Sequence, residues 1–325
     1  MELPTIVQNM REDSADPSHM EKWDGLVLVD AHCHPTDFPS TLNEIATMKA
    51  SKLIVMTTRL EDIDSVEVCS RNYSEKIIPA FGYHPWFSHK VYIQPPESKW
   101  HHYSTVLKPC PTREFVDTLP EPKPFVDHLK KMRQYLIKHP HAMVGELGLD
   151  RAFRLPMDVS HKGTLSPYHV DLQHQLKILN LQLELAAEFN RSVSLHGVHA
   201  HNALFESVLR ILGPTNCKIC LHSYSGSADF LASNWLKVKP LRNRVYVSCS
   251  VLINIPTDER AKRIVEFVPE ERILTESDYH AGGSDMDQYI WAALARICRC
   301  YNWSLEEGSS QVAKNFSHFV ESAGV

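Results

Sequence analysis

The segment Gly25-Leu-Val-Leu-Val-Asp-Ala-His32-Cys-His34-Pro-Thr-Asp37 joins a run of branched apolar residues to two closely spaced histidines. The apolar run predicts a buried strand that ends at the histidines. Side chains alternate between the two faces of a strand, so the i, i+2 spacing places His32 and His34 on one face. Two neutral imidazoles at the end of a buried strand supply half of a metal site.

The spacing alone is not specific, because His139/His141 and His199/His201 share it. With 19 histidines in 325 residues, about one such pair is expected by chance. Only His32 and His34 directly follow an apolar strand. A metal site therefore needs partners from elsewhere in the chain.

Seven further apolar segments predict strands that alternate with helices along the chain. They lie at residues 52–58, 76–85, 142–150, 192–196, 218–222, 244–250 and 272–278. Strict alternation predicts parallel strands with right-handed crossovers, and eight such strands indicate a closed (β/α)8 barrel of the TIM type. Two helices after the last strand add one extra C-terminal helix to this α/β fold.

The sequence predicts one large domain with an N-terminal arm and an insertion. Residues 1–22 are polar and aperiodic, which predicts a flexible N-terminal arm. Residues 23–325 form the predicted barrel domain. Between about residues 88 and 123 the periodicity is lost among six prolines, which predicts a long inserted loop beside the mouth of the barrel.

Composition restricts the function further. The formal net charge of −5 argues against a protein that holds nucleic acid mainly by a basic surface, although bound cations can supply positive charge locally.

There is no run of 18 apolar residues and no apolar leader, so we expect no membrane association. Eight scattered cysteines indicate free thiols, and we expect an intracellular protein of the cytoplasm or the nucleus.

Polar residues interrupt the predicted strands at their C-terminal ends. They are His32 and His34 on the first strand, Glu146 on the fourth, His196 on the fifth, His222 on the sixth and Asp278 on the eighth. In a barrel these ends surround one mouth, which is where such folds carry their active sites. The set suits two divalent cations that share a carboxylate and lower the pKa of a water molecule, so that it becomes a nucleophile near neutral pH.

Several motifs follow one another in a specific order. They are Asp30-Ala-His32-Cys-His34, Gly82-Tyr-His84-Pro85, Gly145-Glu146-Leu-Gly148-Leu-Asp150, a helix with Gln175 and Gln182-Leu-Glu-Leu-Ala, His196, His222-Ser-Tyr-Ser-Gly226-Ser227, Glu276-Ser-Asp278 and Asn315. In this order they resemble the TatD family of metal-dependent deoxyribonucleases, within the amidohydrolase-like barrels. The resemblance extends from about Gly25 to Phe319.

The resemblance implies a role for each candidate residue. One metal ion would be bound by His32, His34, Glu146 and Asp278, and the other by Glu146, His196 and His222. Asp278 and Glu146 would be catalytic, with Asp278 placed to accept a proton from the attacking water. His84 would bind a substrate phosphate or support the ligands, and Glu276 would orient a ligand histidine. The implied cofactors are two divalent cations, Zn, Mg or Mn, and the implied reaction is hydrolysis of DNA phosphodiester bonds, including exonuclease action.

The sequence also departs from the family pattern. It reads His196-Gly-Val198-His199-Ala200 where the family has His-x-Arg-Asp-Ala, and Ser277-Asp278-Tyr279-His280 where the family has Thr-Asp-x-Pro. Two alternatives therefore stay open. The first is a hydrolase that cleaves amides or esters with the same metal ions, and the second is a catalytically weak protein that acts through a protein partner.

Further candidates are less specific. The histidines at 199, 201 and 280 are possible extra ligands, and Arg151, Arg154 and Lys162 are possible phosphate contacts, although exposed loop positions explain both groups better.

Overall fold

The computed structural model describes residue 23, residues 25–157 and residues 164–321. Eight parallel strands form its centre: β1 (Val29–Cys33), β2 (Lys52–Met56), β3 (Ile77–Ala80), β4 (Val144–Asp150), β5 (Val193–Val198), β6 (Ile219–Leu221), β7 (Val245–Cys249) and β8 (Ile273–Thr275). They pair in the orders β1-β2-β3 and β4-β5-β6-β7-β8. Their side chains are almost all buried, as expected for strands that are covered on both sides.

Backbone hydrogen bonds join the two sheets at both seams. Between β3 and β4, the Phe81 amide donates to the Met143 carbonyl at 3.0 Å. Between β8 and β1, the Asp278 amide donates to the His32 carbonyl at 3.0 Å. The eight strands therefore form a closed ring, and the predicted (β/α)8 barrel is confirmed.

Helices cover the outside of the ring. They are α1 (Ile63–Asn72), α2 (Lys99–Val106), α3 (Arg113–Thr118), α4 (Phe125–Lys138), α5 (Leu172–Glu188), α6 (His201–Leu212), a short helix at Ala228–Phe230, α7 (Asp258–Val265), α8 (Ser284–Tyr301) and α9 (Leu305–Val320). Further elements are the 3₁₀ helices Pro35–Asp37, Pro39–Thr47, Pro85–Lys90 and Glu270–Arg272, the π-helical turn Leu231–Trp235 and the two-residue strand His169–Val170. The extra C-terminal helix is present as α9, which begins with a capping box between Ser304 and Glu307.

The insertion differs from its prediction as a loop. It contains α2, α3 and the two-residue strands Val91–Tyr92, Leu107–Lys108 and Lys123–Pro124. These elements share a small core, formed by Tyr103, Val106, Leu107, Phe115, Val116 and Leu119 with Leu155, Tyr168 and Val170 from the segment after β4. The sequence does not reveal this core, because its helices have only eight and six residues, too few to show a repeated helical period among the six prolines.

The predicted N-terminal arm, residues 1–22, lies outside the described residues. None of the helices in the described ranges has both the length and the apolar character needed to cross a bilayer.

One glycine is required at the β3–β4 seam. A Cβ atom on Gly82 would lie 2.5 Å from the carbonyl carbon of Gly145. The two strands approach this closely directly beside Glu146 and two residues before His84. The seam thus brings two candidate site residues together at the mouth of the barrel.

Candidate metal centre

Glu146 is the centre of the polar cluster at the carboxyl ends of the strands. Its Oε2 atom lies 3.4 Å from His32 Nε2 and 3.4 Å from His34 Nε2. Its Oε1 atom lies 3.0 Å from His196 Nδ1 and 2.9 Å from His222 Nε2. The two carboxylate oxygens therefore face two separate pairs of imidazoles, an arrangement that suits a carboxylate shared by two cations.

Asp278 completes the first pair. Its Oδ1 atom lies 3.9 Å from His32 Nε2 and 3.6 Å from His34 Nε2. It follows β8 with a φ of +51°, in the left-handed region that Asp and Asn tolerate better than most residues. All six predicted ligand residues thus converge in one place, where they contribute four imidazoles and two carboxylates.

The spacing of these donor atoms fits metal binding. Ligand atoms about 2.0–2.1 Å from a tetrahedral cation lie about 3.3 Å from one another. The Nε2 atoms of His32 and His34 are 3.1 Å apart, and His196 Nδ1 is 3.4 Å from His222 Nε2. Three groups of donor atoms lie within 4.8 Å of one another: His32, His222 and Asp278; His32, His34 and Glu146; and His84, Glu146 and His196.

Asp30 holds β1 and β8 in register beside the cluster. Its Oδ1 atom accepts hydrogen bonds from the amides of His32 and Ser277, each at 3.0 Å, and its Oδ2 atom accepts one from the Ser277 hydroxyl at 2.5 Å. Because Ser277 precedes Asp278, this buried carboxylate fixes the two strand ends that carry three of the predicted ligands. His32 Nδ1 lies 2.8 Å from Ser194 Oγ, which leaves Nε2 directed at the cluster.

His84 enters the cluster from the loop after β3. Its Nδ1 atom accepts a hydrogen bond from the Trp86 amide, so in the neutral ring Nε2 carries the proton. Burial lowers the pKa of His84 to about 4, which keeps the ring neutral. Its Nε2–H points at Glu146 Oε1 at 3.1 Å, and a protonated nitrogen donates a hydrogen bond rather than coordinating a cation.

Asp150 and Trp86 are site residues that the sequence interpretation did not single out. His196 Nε2 and Trp86 Nε1 lie 3.0 and 2.6 Å from Asp150 Oδ2. Oδ1 of the same carboxylate accepts the amides of Ala152 and Phe153. Asp150 therefore fixes the His196 ring with Nδ1 directed at Glu146. In the sequence, the signal that could have identified Asp150 is its position at the end of a predicted strand, four residues after Glu146.

Glu276 lies behind His222. Its Oε1 atom is 3.6 Å from His222 Nδ1, and the hydroxyls of Ser223 and Ser248 donate to its two oxygens. The carboxylate is completely buried. Its role as an orienter of a ligand histidine stays a prediction, because 3.6 Å is longer than a normal hydrogen bond.

The groups of the cluster influence one another's ionisation. Burial lowers the pKa of His32 to about 3, and the charge of His222 acts in the same direction. Burial also disfavours a charged His34, but its hydrogen bond with Glu146 and the charges of Glu146 and Asp278 raise the pKa to about 9. Burial would raise the pKa of Glu146, yet the surrounding imidazoles hold it well below its usual range. Burial raises the pKa of Asp278 to about 6.

The cluster opens into a cavity of about 730 Å³. Its wall includes Trp86, whose ring stacks on Phe153 with centroids 4.8 Å apart, and the pair Arg59–Asp37 at 3.0 Å. Val198 also lines the cavity, at the position where the family has an arginine. A substrate can therefore reach the candidate ligands from solvent.

The less specific candidates lie outside the donor groups. His280 lines the mouth, whereas His199 is exposed on the loop after β5 and the ring of His201 packs against Tyr224. Arg154 Nη1 donates to the carbonyls of the three preceding residues, so its guanidinium is already hydrogen bonded within the loop. Arg151 is exposed and is not among the residues that line the cavity, and Lys162 lies outside the described residues.

Comparisons with known proteins agree with this geometry. The family model described as TatD related DNase matches residues 29–321. The chain is 34% identical to the Cut9-interacting protein scn1 of Schizosaccharomyces pombe, over 90% of this chain and 98% of that protein. It is 31% identical to the uncharacterized deoxyribonuclease YMR262W of Saccharomyces cerevisiae, over 90% of this chain and 99% of that protein.

Solved structures share the fold. YJJV, a TatD homologue of Escherichia coli, superimposes with a TM-score of 0.61 at 19% identity and covers 90% of this chain and 97% of its own. An uncharacterized amidohydrolase of Saccharomyces cerevisiae gives a TM-score of 0.61 at 14% identity, over 90% of this chain and 99% of its own. The family match extends across nearly all of the described barrel and includes every predicted ligand. The chain therefore belongs to the family of TatD related DNases, and it is a hydrolase of a metal-dependent family.

Proposed function

We propose that this protein is a metal-dependent deoxyribonuclease that hydrolyses DNA phosphodiester bonds. The observation that carries the proposal is the position of Glu146, whose two oxygens each face a pair of imidazoles at the floor of an open cavity. The name of the deoxyribonuclease relative supports the same substrate. Because the net charge is −5, bound cations would supply the positive charge where an anionic substrate reacts.

Two divalent cations would be held by His32, His34, Glu146 and Asp278 and by Glu146, His196 and His222. Bound there, they would offset the charge of the phosphodiester and lower the pKa of a water molecule until it can act as a nucleophile. We assign to Asp278 the acceptance of the proton from that water, because its side chain is 17% exposed while that of Glu146 is only 4% exposed. His84 would keep the carboxylate of Glu146 oriented and would meet the substrate phosphate on the cavity wall.

The test is hydrolysis of end-labelled single- and double-stranded DNA with added Mg, Mn or Zn, beside the variant Asp278→Asn. Asparagine keeps the shape of the side chain and tolerates a φ of +51°, so the fold should survive. Loss of the carboxylate should lower turnover by about 10²–10⁴-fold, the usual contribution of a general base. A fully active, normally folded Asp278→Asn protein would overturn this assignment.

Chelation provides the second arm of this test. Removal of divalent cations should abolish cleavage, and the ion that restores it identifies the metal. Ester or amide hydrolysis by the same centre is the alternative reaction. If small amides or carboxylic esters are cleaved efficiently and DNA is not, the phosphodiester proposal is wrong.

A protein-binding role is a second candidate, and it is compatible with catalysis. It is supported by the relative whose name describes it as Cut9-interacting, and by the folded insertion that stands beside the mouth. Replacement of the exposed residues Glu97, Arg113 and Glu114 by alanine removes no side chain of the insertion core, although it takes away the packing contact of Arg113 with Trp100. If the insertion binds a partner, a protein recovered with the wild-type chain should be lost with this variant, and unchanged recovery would contradict the role.

We also propose that the protein acts inside the cell, in the cytoplasm or the nucleus. All eight cysteines lie in the described ranges and are free thiols, and six of them are buried. Free thiols of this number are typical of a reducing compartment.

A further inference from the structure

A second cavity adjoins the mouth of the barrel. We call it the arginine groove; it has a volume of about 520 Å³ and is lined by Arg260, Arg263 and Phe267 on one side and by Ser225 and Ile253 toward the barrel. The two arginines belong to α7, and Phe267 follows that helix. Their spacing of three and four residues places all three side chains on one face.

The groove is continuous with the active-site cavity. Ser225 and Ile253 line both cavities. The Ser225 hydroxyl donates to the carbonyl of Gly197, the residue after His196, at 3.1 Å. A ligand that leaves the metal centre across this loop therefore enters the arginine groove directly.

The guanidinium groups in the groove are available to a ligand. Within the described part of the chain, neither Arg260 nor Arg263 makes a side-chain hydrogen bond or an ion pair. Asp258, the acid at the start of α7, is instead paired with Arg296 and Arg299 from α8, at 3.0 and 2.8 Å. The groove also contains one carboxylate, Glu266, so two positive charges face one negative charge there.

Apolar surface accompanies these charges. Phe267 is 40% exposed and Ile253 is 46% exposed. Cationic groups beside an exposed aromatic ring are the combination that binds single-stranded nucleic acid, since the cations meet phosphates and the ring stacks on an unpaired base.

We propose that the arginine groove binds the nucleotide next to the cleaved bond of a single DNA strand. Arg260 and Arg263 contact the neighbouring phosphate, and the unpaired base stacks on Phe267. The inference rests on the proposed deoxyribonuclease function and adds a subsite to it. It also explains how a chain of net charge −5 gains substrate affinity outside the metal centre.

The test compares substrates that do and do not reach the groove. The small diester bis(p-nitrophenyl) phosphate has no neighbouring nucleotide, whereas a thymidine tetranucleotide has. In Arg260→Gln/Arg263→Gln, hydrolysis of the small diester should be unchanged, and KM for the tetranucleotide should rise about tenfold at moderate salt. The slope of log KM against log salt should fall by roughly 0.7, because the two arginines contact one phosphate and each single-strand phosphate contact contributes roughly 0.7.

Lys262→Gln is the matched control for Arg263→Gln. Both substitutions remove one positive charge from adjacent exposed positions of α7, but Lys262 is not among the residues that line the groove. A rise of KM with Arg263→Gln alone supports the subsite, and equal effects of the two variants overturn it. If the wild-type protein cleaves the small diester but no oligonucleotide, the proposal of a DNA substrate is wrong, and the proposed subsite is wrong with it.

Discussion

At the level of single residues, Asp150 supports a candidate ligand without being one itself. It fixes His196 from behind, with 3.0 Å between Asp150 Oδ2 and His196 Nε2. In Asp150→Asn the amide group removes the negative charge and destabilises the tautomer in which His196 Nδ1 is a free acceptor. We expect metal affinity and activity to fall about 10–100-fold. Titration of the metal-free protein with Zn or Mn measures the affinity independently of turnover.

Trp86→Phe is the control for this prediction. It removes the indole N–H that donates to Asp150 at 2.6 Å but keeps an aromatic ring against Phe153. Because the His196–Asp150 contact remains, metal affinity should change by less than a third of the Asp150→Asn effect. Equal losses in both variants would show that general packing, rather than the carboxylate, holds His196.

The candidate ligands were predictable from the sequence, whereas the contacts of Asp150 with His196 and Trp86 were not. A histidine or carboxylate at the end of an apolar strand stands out, because an unpaired ionisable group is costly in a buried position. The link between Trp86 and Asp150 joins residues 64 positions apart, and nothing in either local pattern indicates it. Pairings of this kind depend on the register of β3 and β4, which only the closed barrel defines.

At the level of elements, α5 covers the barrel and also forms hydrogen bonds with the backbone beside the site. Gln175 and Gln182 lie two helical turns apart on its buried face. The Gln182 side chain accepts from the Tyr83 amide at 2.7 Å and donates to the Tyr83 carbonyl at 3.1 Å. Gln175 forms the same pair of bonds with the backbone of Asp150, each at 2.8 Å. One helix thus anchors the loop that carries His84 and the end of β4 that carries Asp150.

Gln182→Leu should therefore destabilise the protein. Leucine fits the volume but leaves the buried amide and carbonyl of Tyr83 without these partners, at about 1–3 kcal/mol each. We expect the free energy of unfolding in urea to fall by about 2–6 kcal/mol. Gln173→Leu, on the exposed face of the same helix, should change it by less than about 0.5 kcal/mol. A Gln182→Leu protein as stable as this control would contradict the anchoring role.

The barrel strands could be predicted from the sequence, but the short helices of the insertion could not. Each of the eight strands was predictable, because parallel barrel strands are short apolar runs between helices. The helices of the insertion were not predictable. With eight and six residues, α2 and α3 are too short to reveal a period, and their stability comes from the shared core with the segment after β4.

At the level of the whole molecule, neutral histidines are buried well outside the metal centre. Burial lowers the pKa of His89 to about 3 and of His174 to about 4. Burial also lowers the pKa of His128 to about 4, although its hydrogen bond to the Gly82 carbonyl favours the charged form. Each of these groups ties the stability of the fold to pH, because the unfolded chain binds their protons more readily than the folded protein does.

His128 allows this dependence to be measured. Its usual pKa is 6.5, so between pH 6.5 and about 4 the unfolded state binds the proton and the folded state does not. The contribution of His128 to the stability of the fold is therefore fully present above pH 6.5, falls as pH decreases and levels off below about pH 4, a loss of roughly 3 kcal/mol for this group.

His128→Leu should reduce the slope of unfolding free energy against pH in this range by about 1.4 kcal/mol per pH unit. Urea unfolding at several pH values gives that slope for each protein separately, so a uniform change in stability does not affect the comparison. The Gly82 carbonyl keeps the Thr57 hydroxyl as a donor at 2.9 Å, which limits the cost of the substitution itself. Equal slopes for the two proteins would mean that His128 takes up its proton without opposing the fold.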